Sequence, residues 1–209
     1  RTDNADAQDR SARERLAGTG GLGACSGMAR VVVTGAAGPL GRRVVEHLLA
    51  HPEVASVVAV DVLDPGPTAA EVRRADLVSA DLGPLLDGAD AVIHLASTFG
   101  PPIAGSEIEA APDVAMARRV LVAADKAAIE RVVVLSTATV YGPWANNPVP
   151  LTEDAPMRPH PELAYAVQLA EVERLTAEWA ADHPGAAIAR LRPPPWSTRA
   201  RAAGWPEPC

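Results

Sequence analysis

From residue 30 onward the chain alternates short valine-rich runs with longer stretches whose apolar residues recur at three- and four-residue spacing. The runs predict six strands, at Arg30–Thr34, Ser56–Asp61, Glu71–Ala75, Ala91–Leu95, Arg131–Ser136 and Ala186–Leu191. Each is nearly continuous in apolar character, as parallel strands covered on both faces tend to be. The helical spacing falls on Pro39–Ala50, Pro112–Ala128 and Glu162–Asp182. Strand and helix in alternation build βαβ units, so the pattern predicts an α/β fold with a doubly wound parallel sheet between helical layers.

The flanks read differently. Residues 1–27 are polar, glycine-rich and without period, and are expected to form a disordered leader ahead of a folded unit over 28–193. Residues 142–161 are proline-rich and predict a long loop before the last helix, a length usual for functional segments. After Arg192 the run Pro193-Pro194-Pro195-Trp196 opens an irregular tail, assigned to 194–209.

Composition narrows the function. With 48% hydrophobic and 22% charged residues the chain can build a core. Aromatics are only 3%, so that core must be aliphatic. A net charge of −7 argues against a nucleic-acid surface. No apolar stretch reaches membrane-spanning length. Cys25 and Cys209 stand far apart, so neither a disulfide framework nor a clustered metal site is expected. Residues Leu22–Cys25 resemble a lipoprotein cleavage box, but the apolar segment such signals need is missing. A soluble cytoplasmic protein is the expected class. Lys126 is the only lysine, so any chemistry needing one must use it or do without.

Two glycine-rich segments invite a phosphate-binding reading. Gly18-Thr19-Gly20-Gly21-Leu22-Gly23 has the G-x-G-x-x-G spelling, but a charged segment precedes it and no helix follows, so it is set aside. Thr34-Gly35-Ala36-Ala37-Gly38-Pro39-Leu40-Gly41 runs from a strand into a helix, the context that aims helix amides at a pyrophosphate. In that loop Gly35 permits the turn, Gly38 admits the phosphate and Gly41 lets helix and strand pack closely. Pro39 suits a first helical position but removes one donor. Asp61 ends the second strand about twenty residues further on, where a carboxylate binds the ribose diol and repels a 2′-phosphate. No arginine follows it directly, so NAD is expected over NADP.

These segments, with Asp76-Leu77, His94-Leu95-Ala96-Ser97, Ser136-Thr137-Ala138-Thr139-Val140-Tyr141-Gly142, Thr152-Glu153-Asp154, Tyr165 and Leu191-Arg192-Pro193, occur in one characteristic order. The chain thereby resembles the extended short-chain dehydrogenase/reductases, specifically the NAD-dependent epimerase/dehydratase family, over about residues 29–193. The resemblance implies a Rossmann-type αβα domain. It also implies that most of the family's C-terminal substrate domain is missing from this chain, through truncation or a frame change near Pro194. By the same resemblance Asp76 and Leu77 flank the adenine, with Asp81 as a rival or a helix cap. Leu95, Ala96 and Ser97 then line the cofactor groove. Thr137 holds the substrate oxygen, and Tyr165, which also faces the cofactor, is the general acid/base. The helices flanking the fifth strand would pair in a homodimer.

The implied chemistry is reversible oxidation of a carbinol on a nucleotide sugar or similar small molecule. Hydride can leave carbon only if the hydroxyl proton leaves too. A phenol of ordinary pKa near 10 is a poor base at neutral pH, and the family places a lysine one helical turn beyond the tyrosine to correct this. Here Tyr165-Ala166-Val167-Gln168-Leu169 puts leucine in that place. Asp113 occupies a position where the family commonly has asparagine. A non-catalytic NAD-binding or regulatory protein therefore stays open as the alternative. Among other residues, His94 reads as a packed groove residue, Tyr141 as loop packing and His160 as a solvated loop side chain. Glu171, Glu173, Arg174 and Glu178 read as an exposed helix face.

Overall fold

The computed structural model describes residues 28–98 and 111–194. The leader of 1–27, with its rejected glycine segment and Cys25, lies outside the described residues, as does the tail beyond Pro194. The elements run β1 (Ala29–Thr34), α1 (Pro39–Leu49), β2 (Val54–Asp61), β3 (Glu71–Arg74), α2 (Gly83–Leu86), β4 (Ala91–His94), α3 (Pro112–Lys126), β5 (Arg131–Leu135), a 3₁₀ turn (Ala138–Tyr141), α4 (Ala164–Asp182) and β6 (Ala187–Leu191). All six predicted strands and all three predicted helices are present, with ends shifted by one or two residues. The short α2 and the 3₁₀ turn were not foreseen.

The strands form one parallel sheet in the order β3-β2-β1-β4-β5-β6. Chain order reverses direction at β1: β2 and β3 spread to one side, and β4 to β6 to the other. Where the order reverses, the loops leave neighbouring strands in opposite senses and open a crevice at their carboxyl ends.

Side-chain alternation along the strands sorts the core. Val32, Val58, Val60, Val92, Val132 and Val134 point to one face and pack with Met116, Val120 and Leu121 of α3 and Leu169, Val172 and Leu175 of α4. Val31, Val33, Val57 and Ala59 point to the other face and meet Val45 of α1. Each buried aliphatic side chain contributes about 1.5–3 kcal/mol. The α1 layer covers β1 and β2 but thins toward the far edge. On β4 and β5 the residues of that face are half-buried, and on β6 Leu191 is 49% exposed. The apolar character of β6 therefore does not reflect cover on both faces among the described residues.

α4 starts at Ala164, two residues later than predicted, without a side-chain cap. Its buried stripe of Ala166, Leu169, Val172, Glu173 and Thr176 follows the helical period. The predicted exposed face holds at three of its four residues. Arg174 pairs with Glu171 and Glu178 at the surface, whereas Glu173 is turned inward.

Candidate cofactor groove and reaction site

The turn after β1 is shaped by two close approaches. Gly35 has φ +74°, and a Cβ there would lie 2.6 Å from the Ala96 nitrogen and 2.7 Å from the Leu95 carbonyl carbon. The loop is therefore pressed against the end of β4. A Cβ on Gly41 would come within 2.1 Å of the Gly35 oxygen and 2.7 Å of the Ala36 Cα, so α1 is seated directly on the turn. Gly38 is different. Its φ of −68° suits any residue, and a Cβ there would meet only the Gly35 oxygen at 3.4 Å, an ordinary contact. Among the described residues nothing demands glycine at 38, and the space beside it is open.

That space lies at the start of α1, which has no side-chain cap and no acidic residue in its first turn. The amides of Leu40 and Gly41 have no acceptor within the helix, and Pro39 has no donor. Such an N-terminus attracts an anion. The loop's Ala37 peptide is gripped on both sides. Its N–H donates to Asp61 Oδ2 at 2.8 Å, and its carbonyl accepts from Arg42 Nε at 3.0 Å. Asp61 Oδ1 accepts the Leu63 N–H at 2.9 Å. Each carboxylate oxygen keeps a lone pair for a further donor such as a ribose hydroxyl. The donor set and the open Gly38 fit a dinucleotide with an unphosphorylated ribose.

Further along the crevice, Asp76 is exposed and accepts from the Val78 N–H at 2.9 Å and the Ser79 hydroxyl at 2.9 Å. The Val78 bond, then the Ser79 bond, hold its carboxyl below the usual carboxylate range. Leu77 is buried in the core, and its carbonyl accepts from Arg119 Nε at 2.8 Å, so only its backbone remains for a ligand. Asp81 Oδ1 accepts the Gly83 N–H at 3.0 Å in a local turn just ahead of α2, whose N-cap residue is Leu82 and which has no side-chain cap.

At the end of β4, buried His94 shares a 2.7 Å hydrogen bond between Nδ1 and Thr34 Oγ1. Burial pushes its pKa down to about 4, against a smaller opposing effect of Asp113. It is neutral at physiological pH and packs as expected. Ser97 Oγ donates to Asp113 Oδ2 at 2.7 Å, and the Thr98 N–H and hydroxyl donate to Asp113 Oδ1 at 2.7 and 2.9 Å. The Asp113 N–H reaches Gln168 Oε1 at 3.2 Å, one turn along α4 from Tyr165.

Thr137 caps the 3₁₀ turn by accepting the Thr139 N–H at 3.2 Å, and shares a 3.0 Å hydrogen bond with the Thr139 hydroxyl. Tyr165 sits partly buried in the first turn of α4, against the core. Leu169 is 7% exposed and belongs to that core. Lys126 ends α3, which leads into the amino end of β5, whereas Tyr165 is in the first turn of α4, which starts from the carboxyl end of the strands. A cavity of about 660 Å³ lined by Leu40, Leu135, Tyr141, Thr152, Arg190 and Pro193 connects the glycine loop with the end of β6.

Comparison with known proteins decides the family. A family model described as NAD dependent epimerase/dehydratase family matches residues 31–201. The chain belongs to the NAD-dependent epimerase/dehydratase family. The matched span runs beyond residue 193, where the resemblance in the sequence was expected to stop. Among solved structures, MoeE5 in complex with UDP-glucose and NAD is 33% identical with a TM-score of 0.67, covering 78% of this chain and 53% of that one. A short-chain dehydrogenase/reductase from Agrobacterium tumefaciens with bound NAD is 28% identical with a TM-score of 0.68, covering 78% and 48%. Among curated proteins, an uncharacterized protein of Mycobacterium tuberculosis is 33% identical over 138 residues, 61% of this chain and 37% of that protein. The uncharacterized UDP-glucose epimerase YtcB of Bacillus subtilis is 28% identical over 148 residues, 63% and 47%. The chain thus spans less than half the length of these curated relatives.

Within that family frame, the least foreseen cluster surrounds Arg192. Its Nε donates to both Glu173 oxygens at 2.8 and 2.9 Å, one terminal nitrogen to Glu173 at 2.5 Å, and the other to the Tyr141 hydroxyl at 2.5 Å and the Glu153 carbonyl at 2.7 Å. Ser136 Oγ also donates to Glu173 at 2.5 Å. Glu173 is 1% exposed, so α4, β6, the 3₁₀ turn and the following loop are tied at one buried carboxylate. The Glu173 bonds hold Arg192 well above the usual arginine range. His160 was expected to be solvated. Instead it is partly buried and stacks on Trp144, with centroids 5.5 Å apart. The signal for Glu173 was its helical phase with Leu169, Val172 and Thr176; for His160 none was available locally.

Among the described residues, no helix is long and apolar enough to cross a membrane, and no group of three or more His, Cys, Asp and Glu could hold a metal.

Proposed function

We propose that this chain binds NAD in the crevice between β1 and β4 and serves the reversible oxidation of a carbinol on a nucleotide sugar. The observation carrying this reading is Gly38, which has open space on its ligand side, next to an uncapped helix and an Asp61 carboxylate fastened to the same loop. The solved relatives with NAD and UDP-sugars support the cofactor and the substrate class. Bound NAD would supply the hydride acceptor at the carbinol carbon.

The protein's part is to position the alcohol and take its proton. Thr137 would hold the substrate oxygen, and Tyr165, in the first turn of α4, would accept the hydroxyl proton. Leu77 would contribute through its backbone, Asp76 through its carboxylate, and Leu95, Ala96 and Ser97 as groove wall. Leu169 offers the phenolate no charge and lies in the aliphatic core. That observation favours a second reading, in which the groove holds NAD without efficient turnover.

Absorbance at 340 nm, with product analysis, would be followed for the chain given NAD and UDP-glucose or UDP-glucuronic acid, and again for Leu169→Lys. The leading reading expects weak turnover that rises at least tenfold with lysine at 169. NAD binding without turnover in either protein would establish the binding module instead.

A further inference from the structure

Asp113 is a buried carboxylate, 2% exposed, and every side-chain partner it has among the described residues is a donor: Ser97 Oγ, the Thr98 N–H and Thr98 Oγ1. That is the set an anion accepts. No salt bridge neutralises it among the described residues. Its place follows from connected contacts. The glycine turn at Gly35 presses on Ala96; Ala96 leads into Ser97; Ser97 bonds Asp113. The backbone of Asp113 then bonds Gln168, on the helix that carries Tyr165. Asp113 therefore stands directly behind the groove wall, at the end where the reacting part of a bound dinucleotide would lie. On α4, the side chain one turn beyond Tyr165 is the aliphatic Leu169.

An oxidised nicotinamide ring carries a positive charge and a reduced one carries none. Resting on the NAD reading above, we infer that Asp113 makes this groove discriminate between cofactor oxidation states, binding NAD⁺ more tightly than NADH. At an effective dielectric of about 20, a unit charge about 12–17 Å from the ring changes such a ratio on the order of fivefold to tenfold. Because the carboxylate is buried, moderate salt screens the effect little.

The test is calorimetric titration of the full chain with NAD⁺ and with NADH, for the wild type, Asp113→Asn and Thr98→Val. Asp113→Asn keeps the shape and removes the charge; Thr98→Val removes one tie and keeps it. The inference expects the wild type to favour NAD⁺. It expects Asp113→Asn to shift the affinity ratio fivefold to tenfold toward NADH, and Thr98→Val to leave the ratio unchanged even if both affinities fall. If the wild type favours NADH, or if Asp113→Asn binds both forms with the wild-type ratio, the inference is overturned. A ratio shifted equally by Thr98→Val would overturn it too, since geometry and not charge would then be responsible. If Asp113→Asn does not fold, the wild-type ratio alone still decides. A wild type that binds neither form would instead overturn the proposed function.

Discussion

Gly38→Ala separates a glycine kept for a ligand from a glycine kept for the fold. The added methyl meets only the Gly35 oxygen, at 3.4 Å, and φ of −68° is accessible to alanine. Alanine lowers the entropy of the unfolded chain, worth about 0.4–1 kcal/mol, but is a poorer N-cap than glycine by a comparable amount. The two offset, so stability should stay within about 0.5 kcal/mol and Tm within about 2 °C. The same methyl occupies the space beside the Leu40 and Gly41 amides where a pyrophosphate must sit. Calorimetry should show NAD affinity falling more than about tenfold, or 1.4 kcal/mol. Gly41→Ala is the contrast: its Cβ would lie within 3.0 Å of three backbone atoms, so the turn or α1 must move. Overpacking of that kind costs about 1–3 kcal/mol and should be visible in thermal unfolding as well as in binding. Normal NAD affinity in folded Gly38→Ala, or a loss of stability equal to that of Gly41→Ala, would show that Gly38 is not kept for a ligand.

Other outcomes follow from the buried charges. Arg192→Met leaves the Glu173 carboxylate buried without its partner and should cost about 3–5 kcal/mol in urea unfolding, most of it recovered when Glu173→Leu is added; a loss below 1 kcal/mol would show that the pair carries little. His94 has a folded pKa of about 4 against about 6.5 unfolded, so the unfolded chain takes up protons first as pH falls. Stability from this group is full above pH 6.5 and declines toward pH 4, by about 2 kcal/mol at pH 5, and His94→Asn should flatten that part of the profile. His183 acts in the opposite sense: its bonds to the Trp179 carbonyl and to Asp125 raise its pKa, so its contribution is present below pH 6.5 and lost as pH rises through the folded value. Comparing His94→Asn with the wild type isolates the first effect.

The sequence revealed whatever repeats locally. Among the described residues, valine runs and helical spacing located every strand and the three longer helices. The Gly35–Gly41 loop was legible because strand, turn and helix are adjacent, and its rival at Gly18–Gly23 lacked that context. What escaped notice depended on partners far along the chain. Glu173 looked like one more charge on a charged helix until β6 brought Arg192 against it. His160 gained Trp144 across a folded loop, and Asp113 gained Ser97 and Thr98 from 16 and 15 residues earlier in the chain. α2 is four residues long with proline in its first turn, too short to leave a period. The loss of cover on β6 was hidden because an apolar strand reads alike whether one face or two are packed.

Titration of the purified chain with NAD and with NADP decides whether this crevice is a working NAD site. Asp61, held by the Ala37 and Leu63 amides where the adenosine ribose would lie, predicts saturable NAD binding and at least tenfold weaker NADP binding, the discrimination relaxing in Asp61→Ala. Equal affinity for the two, or no binding of either by the folded chain, would contradict the account.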